Sequence, residues 1–220
     1  MTEHYLTVSQ GTKRIGESTI WENVDILMER GEMVALTGPS GSGKTTLLNC
    51  LGALTDITSG EISIGGESLT GMSAGIRRRF RRDHIGYLFQ NYALVETDTI
   101  QENLLDPLRC LPRGKRPGQE EMEEALGRVG MAGRSAERVY RLSGGEQQRV
   151  ALAGVLLKKP EVVLADEPTG ALDAQNAQMV LGMLRSITEA GGLVVIATHN
   201  QDVMDGCDRV IDIARFRPTT

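Results

Sequence analysis

The stretch that most constrains the fold is GPSGSGKT, from Gly38 to Thr45, which joins an apolar run to a helix-forming segment. The run MVALTG before it is typical of a short buried strand, and the residues from Lys44 to about Leu54 predict a helix. The spacing matches G-x-x-x-x-G-K-[ST] in full, a pattern in which glycines let backbone N–H groups surround phosphate oxygens. A strand, a glycine loop and a helix in this order therefore indicate a phosphate-binding turn in an α/β fold.

The pattern gives specific roles to the polar residues of this loop. We expect Lys44 to neutralise the outer phosphates of a nucleotide and the hydroxyl of Thr45 to ligate Mg²⁺. The predicted contacts to the nucleotide are Gly38, Pro39, Ser40, Gly41, Ser42, Gly43, Lys44, Thr45 and Thr46.

The rest of the chain alternates strand-like and helix-like runs, which is typical of a doubly wound α/β fold with a mostly parallel sheet. The predicted strands are His84–Phe89, Val162–Ala165 and Leu193–Ala197, and the predicted helices are Gly144–Lys158 and Ala174–Glu189. Roughly the first 30 residues and Glu61–Leu69 predict short antiparallel strands instead. Residues 91–159 predict a mainly helical insertion, broken by the Pro/Gly-rich loop Leu111–Gln119. We therefore predict one domain over 1–220, with a nucleotide-binding core at 1–90 and 160–220 and a helical subdomain at 91–159.

Polar residues follow three of these strands, and the carboxyl ends of parallel strands meet at one edge of a sheet, where ligands bind. In VVLADEP, Asp166 suits a role on Mg²⁺ and Glu167 suits a general base that activates water. His199 follows the strand LVVIA and could contact the terminal phosphate or the attacking water. Gln90 follows YLF and could hold Mg²⁺ or water through its amide. Solvated loop carboxylates are the alternative for the acidic pair, but the complete phosphate loop disfavours it.

A second glycine-rich helix start lies in RLSGGEQQ, about a hundred residues further on. Ser143 and Glu146 form a capping-box pattern, while Gly144 and Gly145 each cost about 1 kcal/mol relative to Ala in a helix. Two glycines at a turn with unpaired N–H groups let an anion approach closely. We expect Ser143, Gly144 and Gly145 to meet the γ-phosphate of an ATP held by a second copy of the chain, in a two-fold pair. The alternative is a capping box with accidental glycines.

The composition of the chain limits which binding partners we expect. The net charge of −5 argues weakly against nucleic acid, and the cluster IRRRFRR (Ile76–Arg82) predicts a solvated helix face, with contact to lipid headgroups or an acidic partner as the alternative. Cys50, Cys110 and Cys207 show no metal or disulfide spacing and predict small buried residues in a reducing compartment.

No signal peptide is recognisable, and the longest apolar stretch, Val150–Leu157, is too short to cross a bilayer. A membrane role would therefore need another chain.

Taken together, these motifs closely resemble the ATP-binding subunit of ABC transporters. The resemblance rests on the phosphate loop, Gln90, LSGGEQQ (Leu142–Gln148), VVLADEP, ALD (Ala171–Asp173) and His199, in that order along the whole chain. It implies a RecA-like P-loop core, ATP-driven head-to-tail dimerisation, hydrolysis with Glu167 as base, and Asp173 acting across the dimer. It also implies that FQNYALVETDTIQENL (Phe89–Leu104) lies against a separate transmembrane permease, on the cytoplasmic side of the membrane.

Within this family the chain looks like the macrolide-exporter, lipoprotein-release, cell-division and bacteriocin-export group. We therefore expect it to drive an exporter of an antimicrobial peptide, drug or lipophilic substrate. The alternatives are a cell-division-type ATPase that signals through a membrane partner, a soluble member acting in DNA repair or translation, and a small P-loop kinase. One departure is that SQGTKRIG (Ser9–Gly16) lacks the aromatic residue that family members usually stack on adenine. Tyr5 or Trp21 could reach the base, or Arg14 or Ile15 could pack on it.

Overall fold

A computed structural model describes residues 4–170 and 172–218. The strands are β1 (Leu6–Ile15), β2 (Ser18–Met28), β3 (Met33–Thr37), β4 (Ser59–Ile64), β5 (Glu67–Ser68), β6 (Ile85–Leu88), β7 (Val162–Asp166), β8 (Leu193–Ala197) and β9 (Arg209–Asp212). The α-helices are α1 (Lys44–Leu51), α2 (Ala74–His84), α3 (Ile100–Leu105), α4 (Gln119–Arg128), α5 (Gly144–Lys158), α6 (Ala174–Glu189) and α7 (Gln201–Asp205). Short 3-10 helices lie at Pro107–Cys110, Arg113–Lys115, Val139–Arg141 and Ile213–Phe216.

A five-stranded parallel sheet forms the centre of the molecule, in the order β6-β7-β8-β3-β9. Every residue of β7 and β8 is buried, as expected for β-branched runs that helices cover on both faces. The predicted α/β class with a mostly parallel sheet is confirmed. The predicted bounds of β8, α5 and α6 agree with the structure, whereas α1 ends at Leu51 rather than near Leu54.

The predicted antiparallel part is also present, as a four-stranded sheet in the order β2-β1-β4-β5. A tight turn joins β1 to β2, and Gly16 occupies it with a φ of 59°, a conformation that glycine adopts without a Cβ penalty. The buried side chains of β1, β2 and β4 pack with α1 and with one face of the parallel sheet in a single hydrophobic cluster. This packing brings β2 next to the phosphate loop.

The opposite face of the parallel sheet packs against the segment 91–159. Buried residues of α3, α4 and α5, among them Leu104, Met122 and Leu152, share one cluster with Val163 and Ile196 of the sheet. The helical character of this segment agrees with the prediction. Its division from the core as a subdomain at 91–159 stays a prediction.

The basic segment on α2 differs from the predicted solvated face. Arg77 forms an ion pair with Asp56, and the Arg81 guanidinium donates to the carbonyl of Ala53. Arg82 pairs with the neighbouring Asp83, while Arg78 and Arg79 are exposed. The predicted solvated face is therefore right for only part of the cluster, because the partners of Arg77 and Arg81 come from distant parts of the chain.

The three cysteines also differ from one another. Cys50 is buried, as predicted, but Cys207 is only half-buried and Cys110 is exposed, which corrects the prediction for these two residues. Burial raises the pKa of the Cys50 and Cys207 thiols to about 11. No helix in residues 4–170 and 172–218 has the length and apolar character required to cross a membrane.

Candidate active site

The carboxyl ends of four parallel strands bring the predicted polar residues to one edge of the sheet. The pairing registers place Leu36 and Asp166 on either side of Ala197. The loops that follow these strands are tied together, since Glu167 N–H donates to the Ala197 carbonyl at 2.9 Å and Thr198 N–H donates to the Leu36 carbonyl at 3.0 Å. The residues after β3, β7 and β8 are therefore held in fixed relation to one another.

The phosphate loop forms a concave turn that requires its glycines. Gly38, Gly41 and Gly43 have φ values of 141°, 72° and 93°, in the region where a side chain is strained. A Cβ on Gly43 would also lie 2.5 Å from Ile20 Cγ2 and 2.8 Å from Trp21 Cδ1. The loop can take its curvature only because these positions lack side chains.

The same loop carries polar groups that suit a phosphate. Ser42 is fully buried, and its Oγ has no hydrogen-bond partner within the described residues. Helix α1 starts at Gly43 without a side-chain cap, so its first N–H groups remain available to an anion. The Lys44 ammonium donates to the carbonyls of Gly38 at 2.8 Å and Pro39 at 3.4 Å, which keeps the cation over the loop.

Thr45 and Asp166 form the pair of oxygen ligands that a magnesium ion would need. Both residues line the cavity described below, and the pKa of the Asp166 carboxyl is raised, mainly because burial disfavours its charge. A nearby cation would relieve that cost. No group of three or more His, Cys, Asp or Glu side chains suited to a metal occurs in residues 4–170 and 172–218.

Glu167 is held in a strained conformation next to His199. Its φ of 47° lies in the left-handed region that non-glycine residues rarely occupy. His199 Nδ1 lies 2.7 Å from Glu167 Oε1, and the Thr198 hydroxyl donates to Oε2 at 3.3 Å. Because a carboxylate oxygen can only accept, Nδ1–H of the His199 ring donates to Glu167. The carboxylate is thus fixed by two donors, the His199 ring and the Thr198 hydroxyl.

These groups line one open cavity of about 680 Å³. Its lining comprises Ile20, Gly38, Pro39, Ser40, Gly41, Ser42, Gly43, Lys44, Thr45, Thr46, Gln90, Asp166, Glu167 and His199. The structure thus brings together every residue that was predicted from the phosphate loop and from the ends of the other three strands. Their individual roles stay predictions.

The residues of the second glycine-rich turn do not line this cavity. Ser143 and Gly144 are exposed, as is Asp173, which caps α6 by accepting from Asn176 N–H at 2.8 Å. Ala171 lies outside the described residues. Within a single chain, Ser143, Gly144, Gly145 and Asp173 are therefore separate from the phosphate loop.

The turn Ser143–Glu146, called the signature turn below, is a complete capping box. Ser143 N–H donates to Glu146 Oε2 at 2.8 Å, and Glu146 N–H donates to Ser143 Oγ at 3.3 Å. Arg134 forms an ion pair with Glu146 and lowers the pKa of its carboxyl to about 2, with help from Ser143. A Cβ on Gly144 would lie 3.3 Å from the Tyr92 hydroxyl, and one on Gly145 would lie 3.4 Å from Leu172.

The side of the cavity next to β2 is aliphatic. Trp21 is fully buried beneath Gly43, and Tyr5 is buried with its hydroxyl donating to Glu161. Neither aromatic side chain lines the cavity, which corrects the suggestion that one of them could reach adenine. Arg14 and Ile15 are exposed at the β1–β2 turn and also lie outside the lining, whereas Ile20 belongs to it.

Three residues of this region were missed by the sequence analysis. Ile20 lies in a strand distant in sequence from the phosphate loop, so no local pattern identifies it. Thr198 directly precedes His199, and its hydroxyl was the available signal. Gln148 is buried in α5, and its Nε2 has no hydrogen-bond partner within residues 4–170 and 172–218. Gln148 lines a second cavity of about 230 Å³ with Gln90, Tyr92, Glu167, Pro168, Gly170, Leu172 and His199.

A family model described as "ABC transporter" matches residues 21–170. The chain is 39% identical over 206 residues to the lipoprotein-releasing system ATP-binding protein LolD 1 of Rhodospirillum rubrum, covering 93% of this chain and 90% of that protein. It is 39% identical over 217 residues to the macrolide export ATP-binding/permease protein MacB of Bradyrhizobium diazoefficiens. That match covers 97% of this chain but only 33% of MacB, so the chain spans about a third of this relative.

The fold agrees with these matches. A dimeric structure of the ATP-binding cassette MJ0796, in a post-hydrolysis state with ADP and Pi, superposes with a TM-score of 0.87 and 34% identity. The alignment covers 94% of this chain and 93% of that one. An ATP-binding cassette is therefore the class of protein that the fold and the site define. The chain belongs to the ABC transporter family, in which it is an ATPase.

Proposed function

We propose that this chain hydrolyses ATP as one half of a two-fold dimer, and that the dimer drives a separate transmembrane permease. The observation that carries the proposal is that one chain assembles only part of a nucleotide site. The phosphate loop, Asp166, Glu167 and His199 line one cavity, while the signature turn is exposed elsewhere on the chain. A second copy in head-to-tail arrangement would supply that turn, and the similar cassette MJ0796 has a dimeric structure.

In this proposal, each side chain at the cavity has a separate task. Lys44 and the N–H groups of the loop bind the phosphates, and Thr45, Asp166 and Gln90 hold Mg²⁺. Bound Mg²⁺ would stabilise the charge that develops on the phosphate oxygens. Glu167 accepts a proton from water as the water oxygen bonds to the γ-phosphorus and the bond to the ADP oxygen breaks. His199 keeps the Glu167 carboxylate in place through Nδ1 and directs Nε2 to the reacting group.

The second chain would contribute Ser143, Gly144 and Gly145 to the γ-phosphate and Asp173 to the interface. The N-terminal turn of α5 carries the positive end of the helix dipole. The capping box occupies the Ser143 backbone N–H and hydroxyl with Glu146 at 2.8 Å and 3.0 Å, so the turn is rigid before a partner arrives. The N–H groups of Gly144 and Gly145, in the first turn of α5, would then be the preformed donors that bind an anion with little reorganisation.

The permease would bind in an apolar groove of about 250 Å³ between the loop after β6 and helices α3 and α5. The groove includes Phe89, Tyr92, Leu94, Leu104, Leu108 and Val150. An amphipathic helix of the permease fits such a surface, because its apolar face would cover the half-buried side chains of Phe89, Tyr92 and Leu94. MacB supports this assignment, since it is named an ATP-binding/permease protein and this chain spans only a third of it.

We infer from the names of the relatives, macrolide export and lipoprotein release, that the transported substrate is a drug or a lipophilic molecule moved outwards. An antimicrobial peptide is the further candidate, which the resemblance of Phe89–Leu104 to bacteriocin exporters supports. The chain would then lie at the cytoplasmic face of the membrane and contact the membrane only through the permease.

The first experiment replaces the proposed base. Glu167→Gln keeps the size of the side chain and one accepting oxygen but removes its basicity. We expect ATP binding to persist while turnover falls about a hundredfold or more, and a stable ATP-bound dimer to accumulate. Phosphate release and light scattering after size-exclusion chromatography measure the two effects. Glu189→Gln, at the exposed end of α6, is the control. Near-normal turnover in Glu167→Gln would refute the role of Glu167.

The second experiment tests whether two chains share one site. Lys44→Ala chains and Ser143→Arg chains should each be almost inactive alone. Mixed dimers would hold one site with both defects and one site with neither, so activity should return on mixing. Lys44→Ala mixed with Glu167→Gln is the matched control, because both defects lie in the same half-site and no mixed dimer has an intact site. Equal activity of the two mixtures would overturn the composite site.

A further inference from the structure

The loop after β6 contains two consecutive non-glycine residues with left-handed backbones. Tyr92 and Ala93 have φ values of 61° and 52°. Tyr92 N–H donates to the Phe89 carbonyl at 3.0 Å, and Ala93 N–H donates to the Asn91 carbonyl at 2.7 Å. A non-glycine residue persists in this conformation only where its surroundings fix it, so the backbone of this loop is held in place by its contacts.

Tyr92 touches three distinct places. It lines the apolar groove beside α3 and α5. It also lines the small cavity behind Glu167 and His199, together with Gln148 of α5. Its hydroxyl lies against Gly144, at 3.3 Å from the point where a Cβ would stand. Gln90 and Gln148 share the small cavity with Tyr92 but do not line the groove.

We propose that Tyr92 is a positioning residue that couples an occupant of the apolar groove to the signature turn, through the packing of its hydroxyl against Gly144. The proposal rests on the function proposed above and adds a specific contact to it. An occupant of the groove would press on the same ring whose hydroxyl limits the position of the first turn of α5. Two groups then require a glycine at this position. Gly144 leaves room for the Tyr92 hydroxyl of its own chain and for the phosphate of the nucleotide bound by the other chain.

A double-mutant cycle separates these two reasons for Gly144. In a Glu167→Gln background, Gly144→Ala should weaken ATP-dependent dimerisation about tenfold, a typical size for a disturbed packing contact. Adding Tyr92→Phe, which removes only the hydroxyl, should restore dimerisation to within about threefold of the parent. If crowding of the phosphate were the cause, Tyr92→Phe would restore nothing, and that result would overturn the proposal.

Gly145→Ala is the matched control, since its Cβ would meet Leu172 rather than Tyr92. Tyr92→Phe should therefore not rescue Gly145→Ala. Urea unfolding of the parent, the two single variants and the double variant of the Gly144 cycle measures the same contact in monomers without ATP. We expect the effects of Gly144→Ala and Tyr92→Phe on the unfolding constant to deviate from additivity by about threefold. A parent chain that stays monomeric with ATP would contradict the composite site, whereas additive unfolding constants would contradict the Tyr92–Gly144 contact itself.

A chemical label in the apolar groove tests whether an occupant of the groove affects the signature turn through Tyr92. Cys110 is exposed and lines the groove, whereas burial raises the thiol pKa of Cys50 and Cys207 to about 11. Maleimides react with the thiolate, so fluorescein maleimide should modify Cys110 first. We expect the label to change ATP-dependent dimerisation about threefold or more, and Tyr92→Ala to abolish this change. An equal effect of the label with and without the Tyr92 ring would overturn the coupling.

Discussion

Helices α1 and α5 both begin at glycine-rich turns that the sequence presents as similar anion sites. In the phosphate loop, Gly38, Gly41 and Gly43 adopt φ values that other residues avoid, and α1 has no side-chain cap. In the signature turn, a capping box starts α5, and neither Gly144 nor Gly145 has a positive φ. The glycines of the first turn are required by the backbone. The glycines of the second turn are required only because other groups must lie close to them.

This difference separates the two turns energetically. The phosphate loop cannot form without its glycines, so any substitution there should cost stability even when no nucleotide is present. In the signature turn, alanine in place of Gly145 would favour the helix by about 1 kcal/mol, whereas a Cβ on Gly144 would lie 3.3 Å from the Tyr92 hydroxyl. The second turn therefore gives up intrinsic helix stability, which is expected at a site where function needs space. The following three substitutions test this contrast.

The largest effect is expected from Gly43→Ala. The new Cβ would lie 2.5 Å from Ile20 Cγ2 at a φ of 93°, so backbone strain and overpacking should together cost about 2–4 kcal/mol. Urea unfolding without nucleotide measures this loss. Gly41→Ala is the control, because Gly41 also has a positive φ but no atom within 4 Å of its Cβ. Gly41→Ala should therefore lose only the stability that backbone strain costs. A Gly43→Ala chain as stable as the parent would remove the contrast between the turns.

Sequence reasoning succeeded where the signal was local. The buried runs of β7 and β8, the capping box at Ser143, and the glycine pattern of the phosphate loop each depend on neighbouring residues. The common sheet edge followed from one topological rule. These features were enough to bring the predicted residues of the cavity together.

The contacts that sequence reasoning missed join residues far apart in the chain. Trp21 lies beneath Gly43, Ile20 lines the cavity, and Tyr92 packs against Gly144. Each depends on how two elements pack, and no spacing along the chain encodes such packing. The strained φ of Glu167 was equally unpredictable, because the pairing of its N–H with Ala197 on β8 helps to fix it.

An intermediate effect of opposite sign is expected from Gly145→Ala. Its Cβ would meet Leu172 at an ordinary contact distance of 3.4 Å, so the chain should gain up to about 1 kcal/mol of stability. Dimer-dependent ATPase activity should fall about tenfold, because the added methyl group occupies space proposed for the phosphate.

Gly182→Ala gives the matched comparison for this substitution. Gly182 lies within α6, is exposed, and has no atom within 4 Å of its Cβ. It should gain similar stability with unchanged activity. Thermal unfolding and phosphate release distinguish the two variants. Full activity in Gly145→Ala would show that the second turn does not need its glycines for an anion.

The smallest effect concerns the charge that holds the signature turn. Arg134 and Ser143 lower the pKa of Glu146 to about 2, compared with about 4.3 in an unfolded chain. A carboxyl whose pKa is lower in the folded state stabilises the fold above the unfolded value, and this contribution disappears as the pH falls from about 4.3 towards 2. Glu146→Gln should therefore lower the urea midpoint slightly at neutral pH and reduce its acid dependence in that window.

The capping box of α3 offers a matched control for Glu146. Thr99 and Glu102 make the same pair of contacts there, and hydrogen bonds from Thr99 also lower the pKa of Glu102. Glu102→Gln should reduce the acid dependence of stability in the same direction while ATP-dependent dimerisation stays unchanged. Glu146→Gln should weaken dimerisation as well, because only its turn is proposed to meet a phosphate. If the two variants dimerise equally well, the rigidity of the signature turn contributes nothing to the composite site.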